Sequence, residues 1–133
     1  VIKVSDGDTV TILIEDKVSH KIRLNDIDAP EKKQPFGNKS RDNLASYIAG
    51  EIITVKYKSK DKYGRILGTI YFENLDINLQ QIKNGYAWVY KQYSKNQTYY
   101  QEEQKAKDLK KGLWIAKEPL APWEYRKKRK SSK

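Results

Sequence analysis

The sequence contains no cysteine and only one histidine among its 133 residues. These absences exclude disulfide bonds, zinc–thiolate sites, a cysteine nucleophile and any metal site built on two imidazoles. A metal bound by the side chains of this chain must therefore have oxygen ligands. The lack of cysteine leaves the cellular compartment open.

Long apolar runs are also absent, so no segment is expected to span a bilayer. No glycine-rich phosphate loop precedes a helix, and no Gly-x-Ser-x-Gly motif surrounds a serine, which argues against nucleoside triphosphate hydrolysis and a Ser-His-Asp triad. His20 is expected to be a solvated strand histidine. Because Val1 is not Met and a strand is predicted to start at once, an upstream segment such as a signal peptide is expected to have been removed.

Positive charge is abundant: 27 Lys and Arg face 17 Asp and Glu, giving a net charge of +10. Such a balance suits a polyanionic partner, with nucleic acid ahead of an anionic membrane surface. The length predicts one domain over residues 1–123. Residues 124–133 include the basic run 126–130 and are expected to form a flexible tail.

Hydrophobic periodicity predicts strands in the first half of the chain and helices in the second. Ile22 and Leu24 alternate with Arg23 in a strand predicted over residues 20–27, so Arg23 should point away from the buried face. A charged turn is predicted at residues 15–17, a helix at 37–49, and a hairpin follows. Two later helices are predicted to end at Gly85 and Gly112. Together these elements predict an α+β, mainly β fold: a small closed or nearly closed barrel of the OB type.

Acidic residues concentrate at two predicted turns in this otherwise basic chain. If Asp8 and Asp28 converge, their carboxylates offer hard oxygen ligands for Ca²⁺, Mg²⁺ or Mn²⁺. The alternative is that both segments are ordinary turns, because aspartate favours turns for local hydrogen-bonding reasons. The residues in question are Asp6, Asp8, Asp26, Asp28 and Glu31.

Arg23 and Arg65 are candidates for phosphate binding. A guanidinium stays protonated and binds two phosphate oxygens with parallel hydrogen bonds. Together with a metal, two such groups could neutralise the charge on a phosphoryl group under attack. The alternative for both is surface charge or ion pairing with the nearby acids.

Three motifs occur in a specific order: SDGDTV at residues 5–10, RLNDIDAPE at residues 23–31 and DKYGR at residues 61–65. In this order they resemble the staphylococcal nuclease (thermonuclease) family. The similarity continues through residues 34–37, 78–87 and 112–114, and covers nearly the whole chain up to about Trp123.

The resemblance implies a five-stranded OB-type barrel with about three helices. It implies hydrolysis of phosphodiester bonds in DNA and RNA with low sequence specificity, one Ca²⁺ ion as cofactor, and 3′-phosphate products. Asp8 and Asp28 match the family's carboxylate metal ligands, and the backbone carbonyl of Ala29 matches a third ligand. Ala29 departs from the thermonuclease type, which has Thr there; any residue supplies a carbonyl, so the metal site should be spared.

The same resemblance assigns catalytic roles to Arg23, Glu31 and Arg65. Glu31 matches the glutamate that activates or orients the attacking water. Arg23 and Arg65 match the arginines that hold the scissile phosphate. In-line attack needs such a division, with a water-positioning group on one side and cationic groups around the phosphoryl oxygens.

Four further residues match the family's substrate contacts. Lys62 and Tyr63 resemble the pair that contacts a neighbouring phosphate. Trp88 and Tyr90 occupy positions where the family presents aromatic rings to a base, and stacking of this kind is indifferent to sequence. For Trp88, core packing is the alternative.

Two other function classes stay open at this point. A non-catalytic nucleic-acid-binding module would have the same barrel, although all five key positions are filled here. A basic membrane-surface or protein-interaction domain would rest on charge and the tail alone, which could equally be a solvated end. The resemblance also leads us to expect a monomer with DNA and RNA substrates, no stable protein partner and an exported location.

Overall fold

Strands and helices alternate along the computed structural model, which describes residues 1–15 and 17–131, with Ser131 placed by its backbone alone. The strands are β1 (Lys3–Asp6), β2 (Thr9–Leu13), β3 (Ser19–Leu24), β4 (Ile27–Asp28), β5 (Thr54–Lys60), β6 (Ile66–Phe72), β7 (Leu75–Asp76) and β8 (Trp88–Val89). The helices are α1 (Gly37–Ile48), α2 (Ile77–Lys83), α3 (Gln97–Asp108) and α4 (Pro122–Ser131), with a 3₁₀ turn at Gly112–Ile115. The predicted turn at residues 15–17 includes Asp16, which lies outside the described residues.

The main sheet has the strand order β1-β2-β3-β6-β5, and β7 pairs with β6. All its pairings are antiparallel except that of β3 with β6, which brings Ile22 beside Ile66. A separate two-stranded sheet joins β4 to β8. The hairpin predicted after the first helix is present as β5 and β6.

The α+β, mainly β class is confirmed, but the five-stranded barrel with about three helices is wrong in its counts. The described residues form eight strands and four α-helices, and their pairings do not close a barrel. One cause lies in the single strand predicted over residues 20–27. Asp26 has a φ of 67°, so the chain turns out of the main sheet there and Ile27 pairs with Val89 of β8 instead.

The core lies between the main sheet and helices α1 and α2. Ile22 and Leu24 are fully buried in it, and Arg23 lies on the opposite side of β3, as the alternation predicted. Other fully buried aliphatic side chains of the core include Val10, Ile27, Leu44, Ile48, Ile70, Ile77, Ile82 and Val89. Burial of such side chains stabilises the fold by roughly 1.5–3 kcal/mol each.

Two buried polar side chains of α2 hold the acidic turns in position. Asn78 donates from Nδ2 to the carbonyl of Asn25, 2.9 Å away, in the turn before β4, and its Oδ1 accepts from the amide of Ile70 at 3.1 Å. Gln81 donates from Nε2 to the carbonyl of Gly7 at 2.8 Å, in the turn between β1 and β2. Because buried amides of this kind are stable only when paired, α2 fixes where both turns lie.

Gly7 itself has room for no side chain. A Cβ placed there would lie 1.8 Å from Oγ of Ser40, which belongs to α1. The turn Asp6-Gly7-Asp8 can therefore approach α1 closely because Gly7 has no side chain.

Helix α4 covers part of the segment predicted to be a flexible tail. Residues 124–131 of that segment are helical, and residues 132–133 lie outside the described residues. Flexibility of the end of the chain stays a prediction. Over the described residues, no helix has the length and apolar character needed to cross a membrane.

Candidate active site

A cleft of about 760 Å³ lies where the β1–β2, β3–β4 and β5–β6 connections meet, with α4 along one side. Its lining comes from five stretches that are far apart in the sequence. Nine of the ten site residues predicted from the sequence line it: Asp8, Arg23, Asp28, Ala29, Glu31, Lys62, Tyr63, Arg65 and Tyr90. The fold therefore brings together the acids and arginines that the motifs singled out.

Asp8 lies at the base of the cleft and is 7% exposed. Its Oδ1 accepts a hydrogen bond from the Thr9 hydroxyl at 3.0 Å. Its Oδ2 accepts from the backbone N–H of Ala29 at 2.8 Å and lies 3.4 Å from Nη2 of Arg23. The Ala29 peptide is thus in direct contact with the Asp8 carboxylate.

Asp28 lies beside Asp8 and is 1% exposed. Its Oδ1 lies 3.3 Å from the same Nη2 atom of Arg23 that contacts Asp8. One guanidinium nitrogen therefore bridges the two carboxylates, which places them within reach of a shared cation. Arg23 is itself fixed by a 2.8 Å hydrogen bond from Nη1 to the carbonyl of Ile27.

Burial shifts the pKa of two acids in the cleft, Asp28 and Asp6. It raises the pKa of Asp28 above its ordinary value, and the Asp8 carboxylate acts in the same direction, although Arg126 and Arg23 oppose the change. Burial also raises the pKa of Asp6, with further contributions from Asp8 and Glu31. In both residues burial is the main cause, because it disfavours the ionised form of a carboxyl group.

Glu31 lies at the rim, and α4 supplies its partners. Arg129 donates from Nη1 to Oε1 of Glu31 at 2.9 Å, and Nη1 of Arg126 lies 3.5 Å from Oε2. Gln34 fixes the loop, because its Oε1 accepts from the Glu31 amide at 3.1 Å and its Nε2 donates to the carbonyl of Leu120 at 2.6 Å.

Arg65 is positioned by Asp61 in the turn between β5 and β6. Its Nε donates to Oδ2 of Asp61 at 2.7 Å, and its backbone N–H donates to Oδ1 at 2.9 Å. The Tyr63 N–H also donates to Oδ1 at 2.9 Å. These bonds leave the guanidinium end of Arg65 available to the cleft.

The predicted aromatic residues separate in space. Tyr63 is 71% exposed at the cleft, with Lys62 Nζ 5.2 Å from its ring centre. Tyr90 also lines the cleft and stacks on Trp123 at 5.7 Å. Trp88 does not line it; its ring packs 4.5 Å from Trp114 and 5.5 Å from Trp123. Packing in an aromatic cluster is therefore what the structure shows for Trp88.

The donor set at Asp8 and Asp28 fits a hard divalent cation. Two adjacent buried carboxylates and the neighbouring Ala29 peptide offer oxygen atoms, which calcium and magnesium prefer. Within residues 1–15 and 17–131 there is no group of three or more His, Cys, Asp or Glu side chains arranged to hold a metal. A cation here would hence depend on backbone carbonyls and water as well as on the two carboxylates.

Arg126 is one cleft residue that was not predicted from the sequence. Its Nη2 donates to Oδ2 of Asp28 at 2.6 Å, its Nη1 donates to Oδ1 at 3.2 Å, and Nη2 lies 3.4 Å from the Tyr90 hydroxyl. It lay in the segment interpreted as a tail. A helix signal was present, because Pro122 suits the first helical position, Glu124 follows in the first turn and basic residues fill the last turn.

Comparisons with known proteins agree with this geometry. The family model described as "Staphylococcal nuclease homologue" matches residues 21–116. An "Uncharacterized endonuclease" of Haemophilus influenzae is 42% identical over 98% of this chain and 73% of its own length. A second protein of that description, from Escherichia coli, is 40% identical over 95% of this chain and 82% of its own length. A "Micrococcal nuclease" of Shigella flexneri is 33% identical over 99% of this chain and 82% of its own length.

Proposed function

The chain belongs to the staphylococcal nuclease family, and from this premise we propose that it is a calcium-dependent endonuclease that hydrolyses phosphodiester bonds of DNA and RNA with low sequence specificity. Its products would end in a 3′-phosphate. Nuclease activity follows from the family, whereas the metal, the two substrates and the product ends belong to the proposal.

One observation carries the proposal: two buried carboxylates and two arginines line the same cleft. Arg23 contacts both Asp8 and Asp28, and Arg65 lines the cleft from the β5–β6 turn. A phosphate in this cleft would therefore meet guanidinium groups from two different connections of the sheet. Such groups bind phosphoryl oxygens with two parallel hydrogen bonds.

Asp8, Asp28 and the carbonyl of Ala29 are the groups that would hold the cation. When bound, a divalent cation there would neutralise part of the negative charge of the phosphoryl oxygens. A cation bound to Asp28 would lower the pKa of that carboxyl, which burial raises, because the positive charge stabilises the ionised form.

Hydrolysis needs one water and one leaving oxygen. Water adds to phosphorus, the bond from phosphorus to the 5′ oxygen breaks, and that oxygen takes a proton, so the phosphate stays on the 3′ side. Glu31 would orient the water and accept its proton, while Arg23 and Arg65 stabilise the charge on the phosphoryl oxygens. Oε1 of Glu31 accepts a hydrogen bond from Arg129 at 2.9 Å, and each carboxylate oxygen has a further lone pair with which to accept a proton.

Low sequence specificity agrees with the lining of the cleft. Tyr63 and Tyr90 present aromatic rings there, and Lys62 adds a flexible positive charge. Aromatic rings stack on any base, and a lysine contacts any phosphate. These groups therefore recognise the backbone and the base face, which DNA and RNA share.

A cleavage assay tests the proposal. Purified protein is incubated with denatured DNA and with RNA in Ca²⁺, Mg²⁺, Mn²⁺ or chelator, and the product ends are identified by susceptibility to a phosphatase and a 5′ kinase. We expect cleavage of both substrates with Ca²⁺, none with chelator, and products that carry 5′-hydroxyl and 3′-phosphate ends. If the substrate stays intact with every divalent cation, the assignment of nuclease activity is refuted.

Glu31→Gln distinguishes an enzyme from the alternative, a non-catalytic nucleic-acid-binding module. In an enzyme this change should abolish cleavage and leave binding of a labelled oligonucleotide largely intact. In a binding module the wild-type protein would bind the oligonucleotide equally well and cleave nothing.

A further inference from the structure

Helix α4 brings a third arginine into the cleft, at the acids on which the proposed function depends. Arg126 forms a two-point ion pair with Asp28, at 2.6 Å and 3.2 Å, and its Nη1 lies 3.5 Å from Glu31. The Asp28 carboxylate is 1% exposed, so this pair is largely shielded from water on the acid side. Both oxygens that a cation would use are thus occupied by one guanidinium.

A guanidinium that binds a carboxylate through two parallel hydrogen bonds can bind a phosphate in the same way. Arg126 therefore carries donors that suit either partner, and both partners belong in this cleft. Which one it binds depends on what else Asp28 contacts, because a divalent cation on Asp28 removes the charge that holds Arg126 there.

The charge of the cleft favours such an exchange. Six acidic and five basic side chains line it, and α4 contributes Arg126 and Lys130 to the basic set. The lining itself therefore carries one more negative than positive side chain. A divalent cation adds two positive charges and frees Arg126, which makes the cleft cationic where the phosphate must lie.

The backbone of α4 does not have to move for this exchange. Trp123 stacks on Tyr90 with the two rings nearly parallel, Pro122 is buried, and Gln34 bonds the Leu120 carbonyl just before the helix. These contacts hold the first turn of α4 against the cleft. The Arg126 side chain is 32% exposed, so rotation of its long stem is enough to change its partner.

We infer that Arg126 is a phosphate-binding residue of the cleft that pairs with Asp28 until a divalent cation and the nucleic-acid backbone take its place. This inference rests on the proposed function for the identity of the ligand. It assigns α4, which lies beyond the stretch matched by the family model, to the substrate-binding surface.

Two measurements on Arg126→Gln test the exchange, and neither depends on catalysis. Isothermal titration with CaCl₂ alone should show a Kd for Ca²⁺ that is lower than in the wild type, because the competitor for Asp28 is gone. Fluorescence anisotropy with a labelled single-stranded phosphorothioate oligonucleotide, which resists hydrolysis, should show binding roughly tenfold weaker in Ca²⁺, the scale of one charged hydrogen-bonded contact. In chelator the same change should alter oligonucleotide affinity by less than about twofold, because Arg126 is then paired with Asp28.

Arg41→Gln is the matched control, because Arg41 lies in α1 outside the cleft and pairs with Asp42 at 3.1 Å. It removes the same charge and should change neither affinity by more than about twofold, as expected of an exposed ion pair. Arg126→Lys keeps the charge but cannot form two parallel hydrogen bonds. It should change the affinities for Ca²⁺ and for the oligonucleotide in the same directions as Arg126→Gln, and by less. It also carries the test if circular dichroism shows that Arg126→Gln does not fold.

Only tighter Ca²⁺ binding together with weaker oligonucleotide binding supports the exchange. Weakening of both would make Arg126 a positioning residue for Asp28, and unchanged oligonucleotide binding would make it a counter-charge without a substrate role; either result overturns the inference, as does an unchanged Ca²⁺ affinity. The proposed function fails separately, if the wild-type protein cleaves nothing in any divalent cation while these affinities shift as expected.

Discussion

Arg126 and Asp28 are 98 residues apart in the sequence and meet through two hydrogen bonds, at 2.6 Å and 3.2 Å. The arginine belongs to α4 and the aspartate to β4, so this pair joins the end of the described chain to the floor of the cleft. Removing Arg126 would take the nearest counter-charge from the buried Asp28 carboxylate and leave it Arg23, 3.3 Å away. The end of the chain and the acid site are therefore coupled in stability as well as in position.

Asp61 should affect activity through Arg65. Nε of Arg65 donates to Asp61 at 2.7 Å, and this bond orients the guanidinium. Asp61→Asn weakens the bond but keeps the guanidinium. We expect kcat to fall by roughly tenfold with KM little changed, against a fall of roughly 10²–10³ for Arg65→Ala, the scale of one lost donor to a charged transition state. Steady-state cleavage kinetics measure both. Asp42→Asn, at an exposed acid paired with Arg41, is the control; equal kinetics for Asp61→Asn and wild type would contradict the role.

The stability that Asp61 contributes should disappear in acid. Slight burial opposes ionisation, but hydrogen bonds from Arg65 and Tyr63 outweigh it and hold the pKa of Asp61 below its ordinary value of 3.8. A lowered folded-state pKa stabilises the fold fully above pH 3.8 and loses that contribution as the pH falls through the folded value. Urea unfolding at a series of pH values should give the wild type a higher free energy of unfolding than Asp61→Asn at pH 7. The two free energies should converge below pH 3.8. A constant difference at all pH values would show that ionisation is not the cause.

Asn78 should matter for stability more than its size suggests. Asn78→Ala removes bonds to the carbonyl of Asn25 and the amide of Ile70, in a fully buried position. We expect a loss of about 2–4 kcal/mol in the free energy of unfolding, measured by urea denaturation, because buried partners are left unpaired. Asn38→Ala, at an exposed position of α1, should change it by less than about 0.5 kcal/mol. A small effect of Asn78→Ala would mean that α2 does not fix the turn.

Substitutions of Trp88 and Tyr90 should have different effects: the first on folding stability, the second on oligonucleotide binding. Trp88 packs against Trp114 and Trp123, so Trp88→Ala should cost about 2–4 kcal/mol of folding stability and leave oligonucleotide affinity unchanged while the protein is folded. Tyr90 lines the cleft, so Tyr90→Ala should weaken oligonucleotide binding by about tenfold, the scale of one lost stacking contact. Urea denaturation and fluorescence anisotropy give the two quantities. Weakened binding in folded Trp88→Ala would restore the base-contacting role predicted from the sequence.

The sequence predicted best where pattern and motif agree. The alternation of Ile22, Arg23 and Leu24 predicted which side of β3 is buried, because a strand places successive side chains on opposite faces. The break at Asp26 was missed, since its positive φ depends on tertiary contacts such as the bond from the Tyr90 amide to the Asp26 carbonyl. Trp88 was assigned to the substrate by position alone, and only packing shows where its ring lies.

Arg126 shows a different limit of the sequence. The run of basic residues near the end of the chain predicted solvation, because like charges repel and favour an extended segment. In the structure the acids of β4 and the following loop supply counter-charges for Arg126 and Arg129. Such pairing over nearly 100 residues leaves no local trace in the sequence.

Strand β5 ends the strand order of the main sheet and carries Lys56, Lys58 and Lys60, all exposed. A terminal strand can add a strand of another molecule, and lysines at such an edge oppose that association by repulsion between copies. High salt screens the repulsion, and a bound polyanion cancels it. Self-association and precipitation through this edge should therefore increase when the protein is concentrated in high salt or saturated with nucleic acid.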